Sequence, residues 1–293
     1  MPMEYTQTLP EHIASQGLAN EWADLLNHPA EATVLRPNAH RLAFADPEFM
    51  LRRETRGIRI QLEMLKPDLD QSEQGIANTV VVFGSARFPS PETAHEMMAQ
   101  AKISGNNDAI ALAQRHQRNA QHYDQARLFA RLVAAYSAAL EPVDRLYICT
   151  GGGPGIMEAA NRGAHEMGAP TVGLNIALPH EQHANPYVTP SLSFKFHYFA
   201  MRKMHFMMRA KALVAFPGGF GTLDELFEVI TLVQTKKAQP VPIVLFGTDY
   251  WKRLINTDLL LEEGVVSPED LELLHYVDQP AAAWDVITRF YDL

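Results

Sequence analysis

The chain has 293 residues, 47% of them hydrophobic, and a formal net charge of −9. That length suits one large domain or a domain with an extension, and the apolar fraction is enough for a sizeable core. The negative balance argues against nucleic acid and membrane surfaces, which attract basic patches, yet leaves room for a small anion in a local pocket. A single cysteine, Cys149, excludes an internal disulfide and a cysteine metal cluster. The opening MPMEYTQTLPEH lacks the apolar centre of a signal peptide. No run approaches the ~20 apolar residues of a membrane span, so a soluble, cytoplasmic protein is expected.

Residues 1–76 read as a helical N-terminal extension, punctuated by Pro29, Pro37, Pro47 and Pro67, ahead of a domain covering 77–293. Residues 47–67 have a helical pattern, with Leu51, Ile58, Leu62 and Leu65 apolar and Arg52, Arg53, Arg56 and Arg59 basic. A solvated face paired to acids is the first expectation for these arginines, ahead of a basic wall against a phosphate or a partner subunit.

From residue 79 the pattern changes. TVVVFGSAR (79–87) is a β-branched run ending in Gly-Ser. Residues 92–140 are alanine-rich and read as two helices joined at Gly105-Asn106-Asn107. RLYICTGGGPGIMEAANRGAHEMG (145–168) is strand, glycine turn and helix; PTVGLNIALP (170–179) is a strand. ALVAFPGGFGTLDELFEVITLVQ (212–234) repeats strand, glycine turn and helix, and VPIVLFG (241–247) is a fifth strand. The strands are apolar throughout, as strands buried on both faces should be. The expected fold is α/β: a Rossmann-like, doubly wound parallel sheet with the helical N-terminal extension.

Ligands of such sheets bind beyond the carboxyl ends of the strands. Three glycine turns fall there: Gly84-Ser85, Gly151-Gly152-Gly153 and Gly218-Gly219-Phe220-Gly221-Thr222. Glycine admits positive φ and close ligand approach, and the amides of a following helix can face an anion. One such turn is equally a tight strand-to-helix connection, whereas three on one sheet point to a site. GGGPGIME lacks the dinucleotide spacing, and no P-loop motif occurs, so an NAD dehydrogenase and a P-loop NTPase are disfavoured. One phosphate-sized cradle stands out, which favours a monophosphate.

Laid out at helical period, Leu223, Leu226, Phe227 and Ile230 form one stripe after the third turn, and Glu225 and Glu228 lie opposite, on the side of Gly221. Asp224 is accounted for by the helix dipole alone. In HYFAMRKMHFMMRAK (197–211), Ala200, Met201, Met204, Met207 and Met208 form a core-like side. Arg202, His205 and Arg209 form another; Arg202 is a ligand candidate, and for His205 a surface position is expected ahead of a role as a base.

MRK at 201–203 and PGGFGTLDE at 217–225 resemble the signature of the Lonely Guy (LOG) family of nucleoside 5′-monophosphate phosphoribohydrolases, and VFGSAR and GGGPGIMEAANRGA match its other two blocks in order. The resemblance covers residues 79 to about 250. Many members have carried the label lysine decarboxylase. It implies a Rossmann-like homo-oligomer that hydrolyses an N-glycosidic bond to free base and ribose 5-phosphate. AMP or a cytokinin riboside monophosphate would be the substrate, without metal or redox cofactor. By motif position Arg202 and Glu225 take the catalytic places. Gly84, Ser85, Gly152, Gly153, Glu181, Lys203, Gly218, Gly219, Gly221, Thr222, Asp224, Glu228 and Thr231 are the substrate-binding candidates. The long N-terminal region, the stretched first crossover and LNIALPHEQHANPYVTP look like the longer bacterial branch. The competing readings are a non-catalytic nucleotide sensor and a pyridoxal phosphate decarboxylase; for the latter, Lys203, Lys211, Lys236 and Lys237 lie in no recognisable cofactor motif.

Overall fold

The computed structural model describes residues 41–177 and 184–293. The chain divides into two compact units, Met1–Gln61 and Leu62–Leu293. In the first, a 3₁₀ turn at Ala43–Ala45 leads to the short helix α1 (Pro47–Met50), capped by the Asp46 carboxylate, which accepts from the Glu48 and Phe49 amides at 3.0 and 3.3 Å. The Thr55 hydroxyl lies 2.8–3.1 Å from the carbonyl oxygens of Phe49, Met50 and Arg52, and Arg59 also donates to Arg52 O. These bonds turn the chain, so residues 47–67 are not one helix. A second helix, α2 (Arg56–Glu73), starts after the turn and runs through Pro67.

The sheet begins with β1 (Asn78–Phe83), whose Val80, Val81 and Val82 are wholly buried. The first crossover is α3 (Pro91–Ser104) and the 31-residue α4 (Asn107–Ser137). Gly105 ends α3 with φ of 64°, and Asn106 caps α4 by accepting from the Asp108 and Ala109 amides, so the expected turn is where the sequence placed it. Then follow β2 (Leu146–Thr150), α5 (Ile156–Glu166), β3 (Thr171–Ile176), β4 (Ser193–Phe196), α6 (Phe199–Met208), β5 (Ala210–Ala215) and α7 (Phe220–Gln234). The chain closes with β6 (Ile243–Phe246), α8 (Thr248–Leu254), α9 (Thr257–Glu262), α10 (Pro268–Leu271), β7 (Leu274–Val277) and α11 (Pro280–Tyr291).

Among the described residues the seven strands are all parallel, in the order β4-β3-β2-β1-β5-β6-β7. Alternate side chains of the central strands point to opposite faces. One face packs Val80, Val82, Ile148 and Val214 beneath α4, α5 and α11; the other packs Val81, Phe83, Cys149 and Leu213 beneath α6, α7 and α8. This is the doubly wound arrangement. The chain moves outward from β1 to β4, then returns to β5 beside β1, so the switch point lies between those two strands. The edge strands β4 and β7 add to the five strands read from the sequence. They are four residues each, and β4 alternates between exposed and buried.

The α3–α4 crossover rests on its cap. Replacing Asn106 with alanine leaves the first α4 amides without their side-chain acceptor and is expected to cost about 1 kcal/mol. A fall in melting temperature of a few degrees, with an unchanged far-ultraviolet spectrum, is the expected result.

Candidate active site

The three glycine turns meet at the switch point. The Ser85 amide donates to Pro217 O at 3.0 Å, and the Ile156 amide, opening α5, donates to Ser85 O at 3.1 Å. Gly84-Ser85 is thus stitched between the other two turns, and the first α5 amide is occupied by protein rather than open to an anion. In the second turn Gly152 and Gly155 have φ of 71° and 73°, which favour glycine. In the third turn none of Gly218, Gly219 and Gly221 has positive φ, contrary to that part of the glycine expectation. Gly218 is required for space, because a Cβ there would overlap the Thr222 side chain. Gly219 and Gly221 are exposed and face open space. The first α7 bond is Leu223 N to Gly219 O at 3.0 Å, so the amides of residues 220–222 open the helix ahead of it.

Beside this helix end sits a buried ion pair. Arg202, on α6, places Nη1 3.3 Å from Glu225 Oε1, on α7; the side chains are only 13% and 8% exposed. Arg202 Nε donates to Leu174 O at 2.7 Å at the end of β3, and the guanidinium lies 5.0 Å from the Phe206 ring centroid. Gly151 makes room for it: a Cβ there would come within 2.6 Å of Arg202 Nη2. Burial pushes the Glu225 carboxyl up to about 7, raised further by Glu228 and Asp224 and opposed by Arg202 and Lys203. Burial also lowers the Arg202 guanidinium, against the pull of Glu225, but arginine remains charged.

The neighbouring Lys203 Nζ contacts Asp224 Oδ2 at 2.8 Å and Glu228 Oε2 at 2.7 Å. Burial pulls Lys203 down, but the two carboxylates outweigh it and leave it above its ordinary value. Lys203, Asp224, Glu228 and Thr231 line an open groove of about 620 Å³ along α7, with Phe220, Leu223 and Phe227. The candidates therefore form two adjoining groups. Gly84, Ser85, Gly152, Gly153, Gly218, Gly219, Gly221 and Thr222 lie at the carboxyl end of the sheet, and the α7 groove holds the rest, with Arg202–Glu225 between α6 and α7. Glu181 lies outside the described residues.

The α7 layout is corrected in part. Leu226 is buried as expected, but the buried partners are Thr222, Glu225, Val229 and Val233, while Phe227 is 43% exposed. α7 is rotated so that Glu225 sits at the margin of the buried stripe against α6. The α6 expectation changes likewise: Met204 and Met208 are exposed, and His205 is 2% exposed rather than at the surface. Its Nε2 lies 3.0 Å from Glu63 O.

Sequence reasoning missed Asn185. Its amide donates to Gly152 O at 2.8 Å, and its side chain donates to Gly152 O, Gly153 O and Asn161 Oδ1 at 2.9–3.1 Å. It clamps the second turn, and a lone asparagine in a loop carries no pattern that would have revealed it.

The family described as possible lysine decarboxylase matches residues 157–287. Cytokinin riboside 5′-monophosphate phosphoribohydrolase LOG3 of Arabidopsis thaliana is 31% identical over 45% of this chain and 60% of its own length. The probable enzyme of the same description, LOGL5 of Oryza sativa subsp. japonica, is 34% identical over 40% of this chain and 48% of its own. Over these stretches the chain is similar to the LOG family. Its match spans about half to three-fifths of these two LOG relatives. The structure of the Moco carrier protein from Chlamydomonas reinhardtii matches 74% of this chain and 99% of its own, with a TM-score of 0.44 and 18% identity.

Glu225 ties stability to pH. Its folded value of about 7 lies above the ordinary 4.5, so the folded chain holds the proton more tightly than the unfolded chain. Stability therefore falls as pH rises between those values. With each pKa unit worth about 1.4 kcal/mol, ionised Glu225 costs on the order of 3 kcal/mol above that window. Glu225→Gln removes the ionisation. It is expected to melt near the parent at pH 5 and several degrees above it at pH 8; an equal difference at both would contradict the assignment.

Proposed function

We propose that this chain hydrolyses the N-glycosidic bond of a nucleoside 5′-monophosphate, AMP or a cytokinin riboside monophosphate, to free base and ribose 5-phosphate. The observation that carries the reading is the buried Arg202–Glu225 pair beside an open helix N-terminus flanked by Gly219 and Gly221. The relatives' names support the same activity class.

The 5′-phosphate would lie on the amides opening α7, with the Thr222 hydroxyl, where a helix end favours negative charge. Glu225 would face C1′ of the ribose. As the C1′–N bond breaks, its electron pair leaves with the base and positive charge builds on the sugar, as in glycoside hydrolysis. The carboxylate stabilises that charge and takes a proton from the attacking water, whose oxygen bonds to C1′. The departing base gains a proton from solvent at the nitrogen released, and Glu225 returns the proton it took to solvent, so that one water is consumed in all. Arg202 holds phosphate or base in register, and Lys203, Asp224, Glu228 and Thr231 contact ribose and base along the α7 groove. Gly84, Ser85, Gly152, Gly153 and Glu181 complete the proposed binding set.

A carboxylate base held near 7 works only when ionised. The kcat/KM for AMP is expected to rise with pH through about 7. Glu225→Ala is expected to lower release of adenine and ribose 5-phosphate by about 10²-fold or more. Near-parental release would sink the assignment. AMP binding without base release by the parent would favour the sensor reading instead. The decarboxylase label has less support, because a Schiff base needs a neutral amine, and the paired carboxylates keep Lys203 protonated.

The same reading includes a homo-oligomer. Phe220 (91% exposed) and Phe227 (43%), which also line the α7 groove, present an apolar surface suited to a second copy that would cover the groove. Light scattering is expected to give at least twice the 32.8 kDa chain mass. A monomer at micromolar concentration would remove this element.

A further inference from the structure

The α6 helix carries both Arg202 and Lys203, so its placement sets the geometry of the ion pair. Its own sequence does little to hold it. The residue at its N-terminal boundary, Tyr198, makes no side-chain capping bond. The acceptor comes instead from α2. Glu63 Oε1 accepts from the His197 amide at 2.9 Å, and Oε2 accepts from the Tyr198 amide at 3.1 Å. A carboxylate is thereby set against the positive end of the α6 dipole.

The same residue also holds the middle of α6. In a helix, Glu63 O would accept from the amide of residue 67, but that residue is proline and has no N–H. His205 takes the vacant place, with Nε2 3.0 Å from Glu63 O. The carbonyl can only accept, so this bond makes Nε2 the protonated nitrogen. At the far end of α6, Arg209 donates from Nη2 to Asp68 Oδ1 at 2.6 Å and to Ser72 Oγ at 2.9 Å, and from Nε to Ile76 O at 2.9 Å. One helix from outside the sheet thus engages the start, middle and end of α6.

We infer that Glu63 is a positioning residue of the site: through the His197 and Tyr198 amides and His205, it fixes α6, and with it the Arg202 guanidinium against Glu225. This deepens the hydrolase reading and rests on it for its catalytic consequence. Glu63 makes no hydrogen bond or ion pair to Arg202 or Glu225; it acts through the helix.

The test compares the full-length parent with Glu63→Ala and Glu63→Gln, using AMP as substrate and hydrogen exchange as a second readout. Glu63→Ala removes both amide acceptors and keeps the backbone carbonyl. Expected are a kcat lower by about tenfold or more, from loosened geometry at the reacting centre, and a kcat/KM limb shifted to higher pH as Arg202 withdraws from Glu225. Amides of residues 197–203 should exchange faster, with those of β1 unchanged. Glu63→Gln, which keeps one acceptor oxygen, should fall between, and it replaces the alanine variant if that variant does not fold. A lower melting temperature with parental kcat and pH limb would show a merely structural role and overturn the inference. So would unchanged exchange at 197–203. If the parent releases no base from either AMP or a cytokinin riboside monophosphate, the hydrolase reading fails; the exchange experiment then still decides whether Glu63 holds α6.

Discussion

The structure of the site depends on keeping a carboxylate and a guanidinium together out of water. A buried ion pair is costly unless its remaining hydrogen-bonding capacity is met. Arg202 meets part of that need through Leu174 O and lies over the Phe206 ring. Each support belongs to a different element. Leu174 O requires β3 to run beside β2, Gly151 must lack a side chain, and α7 must bring Glu225 to the edge of its buried stripe. The parallel sheet supplies all of these at one end, because every strand delivers its turn to the same side. What remains unbalanced appears in Glu225, whose carboxyl stays near 7 despite the adjacent arginine and lysine. A group poised there has a use in proton transfer that a fully neutralised pair would lack.

How much of this was legible in the sequence follows from how each signal is encoded. The central strands were readable because burial on both faces demands continuous apolar runs, as in Val80–Val82. β4 and β7 were not, because SFKF and LHYV lie at the edges, are short and need no such run. The α3–α4 turn was readable from Gly105 and Asn106, whose conformations are local. The pairing of the Arg-Lys segment with the acidic turn was readable only as a family resemblance, since it joins residues 23 positions apart. The orientation of α7 was misjudged at Phe227. An apolar residue in an amphipathic helix fits either a core-facing or an exposed position, and tertiary packing decides between them.

His205 shows the same limit from the other side. A histidine between methionines looks like a surface residue when only its own helix is considered. Once buried, it bonds to Glu63 O, a carbonyl that Pro67 in a different helix leaves without its helical donor. The two features are readable singly and become connected only once α2 lies along α6. Asn185 is similar: four bonds to the second turn and its neighbour depend on a chain return from beyond β3 that no local pattern encodes.

These couplings give the segment before the sheet a specific part in placing α6. A proline within a helix removes one bond and normally weakens or kinks it. In α2 the lost bond is replaced by one to α6, so the defect becomes a link between helices. The Glu63 side chain adds a second link at the amino end of α6, and Asp68 and Ser72 add a third at Arg209. Three anchors between His197 and Arg209 restrict both sliding and rotation of α6, whereas a single apolar contact would leave rotation soft. Rotation is the motion that matters most, because Arg202 and Lys203 are adjacent in sequence and point about 100° apart on a helix. Only a fixed rotation lets the first meet Glu225 while the second meets Asp224 and Glu228.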